Sequence, residues 1–364
     1  MKAPPLATLV GALLGLPIAA VTSSAAEPAT AASPACTGFN GMTFVCGPMS
    51  AEDLVRLPGT PWLIASGLAQ PPAPGRVQLI DTSTKKWHVA WPIGDQPRIA
   101  HDRAQFPECA TSPDPKSFTA HGLSLRVLGP GRARLLVVNH GGREAIEFFD
   151  VESNDSGPPT LTWIGCVTMP TDTYVNSVVG LPDGSFLATK FYSISQGMNA
   201  IGTGALTGGV LEGAPGKPVT EIPGTALNGA NGIEQAENGK LIYVAEWGKR
   251  QVVRFDRRKA PLKKDVIALD FSPDNLRWAA NGSLLAAGQK LGPPGGGGGF
   301  ALQGWGVASI APATRVVTPL YAADATNPLQ GVSVGVDVDG VLWVGPFRGD
   351  RVGYAPLPAG ATKR

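Results

Sequence analysis

Six short apolar runs, each directly behind a glycine turn, set the strongest limit on what this chain can become. They are Trp62-Leu63-Ile64-Ala65 after Gly59, Leu135-Leu136-Val137-Val138 after Gly131 and Phe186-Leu187-Ala188-Thr189 after Gly184. Leu241-Ile242-Tyr243-Val244-Ala245 follows Gly239, Leu284-Leu285-Ala286-Ala287 follows Gly282 and Leu342-Trp343-Val344 follows Gly340. Runs of this length and composition behind a turn read as strands. Asp183-Gly184, Asn238-Gly239, Asn281-Gly282 and Asp339-Gly340 are the Asp-Gly and Asn-Gly steps that suit tight hairpins. The glycines recur at intervals of roughly 43 to 72 residues, the range of four-stranded blades with loops of variable length. Helical periodicity is almost absent. The predicted fold is therefore all-β: a six-bladed β-propeller of four-stranded antiparallel blades around a central tunnel, over residues 41–360. A seven-bladed ring and a pair of β-sandwiches are the rival architectures. A sandwich, however, has no need to hold one phase across six widely spaced turns, whereas radial repetition does.

Composition agrees with a large folded body. Hydrophobic residues make up 43% of the 364 and charged residues 16%, so the 47 glycines and 34 prolines read as turns and not as disorder. A net charge of +2 without a basic block leaves no nucleic-acid footprint, and a small molecule or a protein is the expected partner. Residues 1–26 read as a signal peptide: Lys2, an apolar stretch from Leu6 to Val21, then the small residues Ser24, Ala25 and Ala26 before Glu27. That stretch is short against the ~20 apolar residues of a membrane span, so the expectation is export to a periplasm or medium, with an uncleaved anchor as the alternative. Residues 27–40 read as a disordered lead-in. Four cysteines in an exported chain suggest two disulfides. Of the three pairings, Cys36–Cys46 with Cys109–Cys166 is preferred, because the second would tie down a long insertion. No CxxC pattern points to zinc or thiol redox chemistry. The glycine-rich residues 292–300 read as a surface insertion in the fifth repeat, or alternatively a mobile lid.

Counting back from the turn glycines exposes a second pattern. Asn176, Asn231 and Asp274 lie eight residues before their glycines, and Asn275 and Glu52 seven before theirs. The strand before each turn would be the innermost of its blade, so four repeats carry an oxygen-bearing side chain at nearly one height on the tunnel. Singly these are ordinary turn residues; in phase they suit a hard cation, and two carboxylates with neutral oxygens suit calcium better than magnesium. The absence of His and Cys from the set disfavours zinc. His121 opens the inner strand of the second repeat in Ala120-His121-Gly122-Leu123-Ser124, and His140 ends the next strand, so both are expected near the tunnel mouth. His88 and His101 read as surface or loop histidines. Phe191, Tyr192, Trp247 and Phe347 follow inner strands and either line a pocket or pack between blades.

These motifs, in this order, resemble the paraoxonase/arylesterase family over roughly residues 46–355. Ser50-Ala51-Glu52-Asp53-Leu54 and Trp62-Leu63-Ile64-Ala65-Ser66-Gly67 are similar to its first blade. Ala120-His121-Gly122-Leu123-Ser124, Leu136-Val137-Val138-Asn139-His140 and Ile146-Glu147-Phe148-Phe149 are similar to its second. Ala230-Asn231-Gly232-Ile233 with Tyr243-Val244-Ala245-Glu246 matches its fourth, and Pro273-Asp274-Asn275 its fifth. Wider relatives are the SMP-30/gluconolactonase and strictosidine synthase propellers. The resemblance implies a catalytic calcium on Glu52, Asn176, Asn231, Asp274 and Asn275, with His121 and His140 as a catalytic dyad. It also implies a second, structural calcium on Asp53, the Leu123 carbonyl and an Asp after the third-blade Asn. Ser177 stands at that last position, so the second ion is expected to be weak or absent. No cysteine follows Cys166, which departs from the family's joining of its two ends by a disulfide. The implied activity is calcium-dependent hydrolysis of lactones or aryl esters. The alternatives are a non-catalytic calcium-stabilised binding propeller and a sugar-lactone hydrolase of the gluconolactonase type.

Overall fold

All six turn glycines stand at positive φ, from +66° at Gly131 to +92° at Gly184. That backbone is costly for a residue with a Cβ and nearly free for glycine. At Asn238-Gly239 and Asp339-Gly340 both residues are left-handed, the geometry whose twist matches that of paired strands. The computed structural model describes residues 36–94, 97–154, 157–292 and 300–358, together with Met1.

The strands form six four-stranded antiparallel sheets. The first is Leu54–Arg56, Trp62–Gly67, Arg76–Asp81 and Trp87–Trp91; the second is Ala120–Gly129, Arg132–Asn139, Ala145–Glu152 and Thr160–Thr168. The third is Tyr174–Gly180, Phe186–Tyr192, Gly209–Gly213 and Thr220–Glu221; the fourth is Ala230–Ala236, Leu241–Glu246, Gln251–Asp256 and Lys263–Ala268. The fifth is Ser272–Trp278, Leu284–Gly292, Ala301–Ile310 and Val317–Asp324. The sixth takes Val332–Val338, Val341–Pro346 and Arg351–Pro356 from the C-terminal end, and its outermost strand, Thr43–Cys46, from the N-terminal end. The first strands of successive sheets touch one another around a closed ring, so the fold is a six-bladed propeller.

The apolar runs are buried almost throughout, and Trp91, Trp163, Trp305 and Trp343 are fully buried between blades. Aromatic residues fill the wedge that opens between radial sheets, where large apolar area is needed. Both disulfides follow the preferred pairing, Cys36–Cys46 and Cys109–Cys166. The second fastens the insertion between the first two blades to the outer strand of the second, where Ile99 also pairs with Trp163. Of the expected lead-in, residues 27–35 lie outside the described residues, whereas Cys36 is bonded and Phe39 pairs with Met42. The signal peptide, apart from Met1, and glycines 295–299 also lie outside the described residues. Among the described residues no helix is long and apolar enough to cross a membrane.

Candidate functional site

Five of the six inner strands break register at one height. The irregularities fall between Ala120 and Leu123, Val175 and Val178, Ala230 and Ile233, Pro273 and Leu276, and Val332 and Val334. A bulge bends its strand and re-aims a side chain. His121, Asn176, Asn231, Asp274, Asn275 and Ser333 sit in these breaks. In the first blade Glu52 and Asp53 precede the strand, and Ser66 Oγ accepts the Asp53 N–H at 2.8 Å. Neighbouring bulges pack backbone to backbone. A Cβ on Gly122 would lie 2.5 Å from Asn176 O, and one on Gly232 2.3 Å from Asp274 O.

Glu52, His121, Asn176, Asn231 and Asp274 line one cavity of about 500 Å³. Asn275 joins them through its Nδ2, which donates to Glu52 Oε1 at 2.8 Å. All six side chains are buried. Glu52 Oε2 and the Oδ1 atoms of Asn176, Asn231 and Asn275 are buried without a hydrogen-bond partner. Each such atom ordinarily costs about 1–3 kcal/mol, and four from separate blades in one site need a common explanation. The carboxyl of Asp274 is pushed up to about 8 by burial and then by the charge of Glu52. Surplus negative charge and unpartnered oxygens fit a hard divalent cation. No group of three or more His, Cys, Asp or Glu side chains with a metal-holding arrangement occurs among the described residues, so the fit depends on the amide oxygens.

Asp274 is held in place by residues the sequence pattern did not single out for this purpose. Gln289 Nε2 donates to Asp274 Oδ2 at 2.7 Å and to Val332 O at 3.0 Å, and Trp247 Nε1 donates to Gln289 Oε1 at 2.8 Å. Ser333 lies seven residues before Gly340, in phase with Glu52 and Asn275. Its Oγ donates to Glu52 O at 2.6 Å.

The two histidines meet beside this cluster. His121 Nδ1 lies 2.7 Å from His140 Nε2, and His140 Nδ1 lies 2.9 and 3.0 Å from the two oxygens of Glu144. Glu144 also accepts the Val175 N–H at 2.6 Å. A carboxylate can only accept here, so His140 carries its proton on Nδ1 and offers Nε2 as an acceptor. In its neutral form His121 then carries its proton on Nδ1, and its Nε2 faces Glu52, 3.6 Å from Oε1. Tyr174 stacks on His140 at 4.3 Å and Tyr192 on Tyr174 at 4.6 Å, which fixes the ring plane. Burial lowers the His140 pKa below the ordinary value. Burial also works against a charge on His121, but the adjacent Glu52 carboxylate, with Asp274 and Asp53, outweighs it and raises that pKa. Glu144 was not among the expected site residues. Its only cue in sequence is the four-residue spacing from His140 across a tight turn.

Asp53 departs from the expected ligand set. Its Oδ1 accepts the Leu54 N–H at 2.8 Å, and its Oδ2 accepts the Leu123 N–H at 2.7 Å and an Arg277 Nη2–H. Arg277 Nη2 also donates to Leu123 O at 2.9 Å. Asp53 and the Leu123 carbonyl, two of the three donors expected for a second calcium, are thus bound to a guanidinium, and the third position holds the neutral hydroxyl of Ser177, whose Oγ is buried without a partner. The residues present do not fit a second ion. Burial lifts Asp53 to about 6 despite Arg277. Burial likewise lifts Glu234, 3.3 Å from Arg277 Nη1, to about 7.

Phe191, Tyr192, Trp247 and Phe347 all line the cavity, with Phe300, Leu302 and Leu68. His88 packs against Trp62 and His101 against Trp163, away from it. Fold and site together define a six-bladed propeller with an oxygen-lined central cavity, a carboxylate-anchored histidine pair and an aromatic lining. The family model described as arylesterase matches residues 48–348, and the chain belongs to the arylesterase family, a family of ester hydrolases.

The luciferin-regenerating enzyme superposes with a TM-score of 0.54 at 15% identity, over 87% of this chain and 94% of its own, a likeness of fold. Regucalcin, a calcium-binding protein from Agrobacterium tumefaciens, gives 0.48 at 12% identity over 85% and 94%. A streptogramin B lyase gives 0.48 at 11% identity over 87% and 97%. A sequence comparison with curated proteins produced no match.

Proposed function

We propose that this chain is an exported, calcium-dependent hydrolase of lactones and aryl esters. The observation that carries the reading is the meeting of four partnerless buried oxygens from four blades beside Nε2 of His121. Glu52, Asn176, Asn231, Asp274 and Asn275 would hold the calcium, which when bound supplies charge to polarise a carbonyl and stabilise the oxyanion that develops. His121 Nε2 removes a proton from a water as the water oxygen bonds to the carbonyl carbon. It returns that proton to the alkoxide or phenoxide oxygen as the ester bond breaks, and ends the cycle neutral. His140 holds the His121 tautomer and Glu144 holds that of His140. An imidazole base suits neutral pH. The mouth of Phe191, Tyr192, Trp247, Phe300 and Phe347 favours aryl and apolar acyl groups over polyhydroxylated aldonolactones. Two disulfides support an oxidising destination.

A panel of phenyl esters, aliphatic lactones and aldonolactones, assayed with and without chelator, tests the proposal. Turnover of the first two classes should vanish on chelation and return with calcium. His121→Ala should keep the native circular-dichroism spectrum and lose about 10²–10⁴ in rate. Undiminished turnover after exhaustive chelation, or in His121→Ala, rejects the mechanism.

A further inference from the structure

Inner strands of a propeller place backbone carbonyls and polar side chains around a narrow dry axis, and a charged group there needs full compensation. Arg277 lies on the fifth inner strand, two residues beyond Asn275, and its side chain is only 8% exposed. Its guanidinium has five N–H donors and a charge that no accessible pH removes. All five find acceptors. Nε donates to Leu54 O at 2.9 Å, Nη1 to Leu276 O at 2.8 Å and Glu234 Oε1 at 3.3 Å, and Nη2 to Leu123 O at 2.9 Å and to Asp53 Oδ2. These acceptors belong to the first, second, fourth and fifth blades. Two carboxylates and three carbonyls converging from separate blades on one buried group are the kind of donors a hard cation takes. Here an arginine holds that point.

We propose that the Arg277 guanidinium is a built-in cation that takes the place of a second metal ion. It satisfies Asp53 and the Leu54 and Leu123 carbonyls, so the chain holds at most one divalent ion and keeps four blades tied when that ion leaves. The assignment stands on the Arg277 contacts and does not depend on the hydrolase reading. Lys would not serve equally, since an ammonium has three donors and no planar fork.

The test is the calcium stoichiometry of the full chain. Calcium is counted by elemental analysis and calorimetric titration, and thermal midpoints are followed with calcium chloride or chelator. The wild type should bind one equivalent and stay folded in chelator. Arg277→Ala uncovers Asp53 and the carbonyls, and should gain one further equivalent and a midpoint that climbs with calcium. Adding Asp53→Asn to that variant should remove the gain. A wild type with two equivalents overturns the proposal, as does a folded Arg277→Ala with no extra equivalent and a calcium-independent midpoint. Should Arg277→Ala fail to fold even in calcium, the wild-type count decides: one or none agrees with a filled position, and two does not. A count of none would sink the tunnel-calcium reading while leaving the Arg277 assignment intact.

Discussion

At the scale of single residues, Glu144 sets whether the neutral His121 carries a lone pair or a proton on Nε2, the nitrogen that faces the site. Its carboxylate accepts from His140 Nδ1 at 2.9 Å, and the preference passes through the 2.7 Å contact to His121. Glu144→Gln keeps the shape but presents an NH₂ to Nδ1. The His140 proton then moves to Nε2, points at His121 Nδ1, and leaves a proton in place of a lone pair on His121 Nε2. Turnover should fall on the order of 10²-fold, with KM for an aryl ester and calcium affinity little changed. Glu144→Asp should recover part of the loss. Stopped assays across pH on the two variants check this, and a Gln variant as fast as the wild type would remove Glu144 from the relay. The oxygen donors themselves were legible in sequence because they share a phase against turn glycines. Gln289 and Arg277 were not, because each acts through a partner far away in the chain: Gln289 through Trp247, 42 residues back, and Arg277 through Asp53, 224 residues back; Glu144 was not, because a Glu four residues from a His across a turn carries no mark of its own in sequence.

At the scale of the strand, the bulges explain why Asp274 and Asn275 can both serve one site although they are adjacent. In a regular strand successive side chains point to opposite faces; the break between Pro273 and Leu276 suspends that alternation. The phase of Asp274 and Asn275 could be counted from Gly282, but the sequence carries no direct mark of the bulge that makes both usable. Gly232 is the element that lets two bulges nest, since an added Cβ would meet Asp274 O at 2.3 Å and Asn275 Cα at 2.7 Å, both backbone atoms of a buried strand. Gly232→Ala should therefore push the fourth and fifth inner strands apart, at a cost of about 1–3 kcal/mol in stability. Calcium affinity should weaken with it, because Asn231 and Asp274 lie on opposite sides of the contact. Chemical denaturation and a calcium titration on the same variant read both effects. Unchanged values would mean that the inner strands are looser than their packing indicates.

At the scale of the whole ring, six blades could be read from six turns, but not the way the ring closes. The closing strand Thr43–Cys46 is four residues long, carries no turn glycine of the repeating kind, and finds its partner Arg351–Pro356 across nearly the full chain. The two disulfides then have different tasks. Cys36–Cys46 closes a span of 10 residues and anchors what precedes the closing strand, whereas Cys109–Cys166 closes 57 and fastens an insertion to a blade. Restriction of the unfolded chain by loops of these lengths is worth about 3 and about 4 kcal/mol. Replacing Cys109 and Cys166 by Ser should thus lower the thermal midpoint more than replacing Cys36 and Cys46. The closing strand keeps its backbone pairing with Arg351–Pro356 when the short loop is cut, so the Cys36/Cys46 variant should still unfold in one transition. Deleting the chain through Cys46 removes that pairing, exposes the edge of Arg351–Pro356, and should depress the midpoint beyond either cysteine pair. Scanning calorimetry on the three variants orders them. A deletion as stable as the Cys36/Cys46 variant would show that the sixth blade stands on three strands and that the N-terminal strand closes nothing.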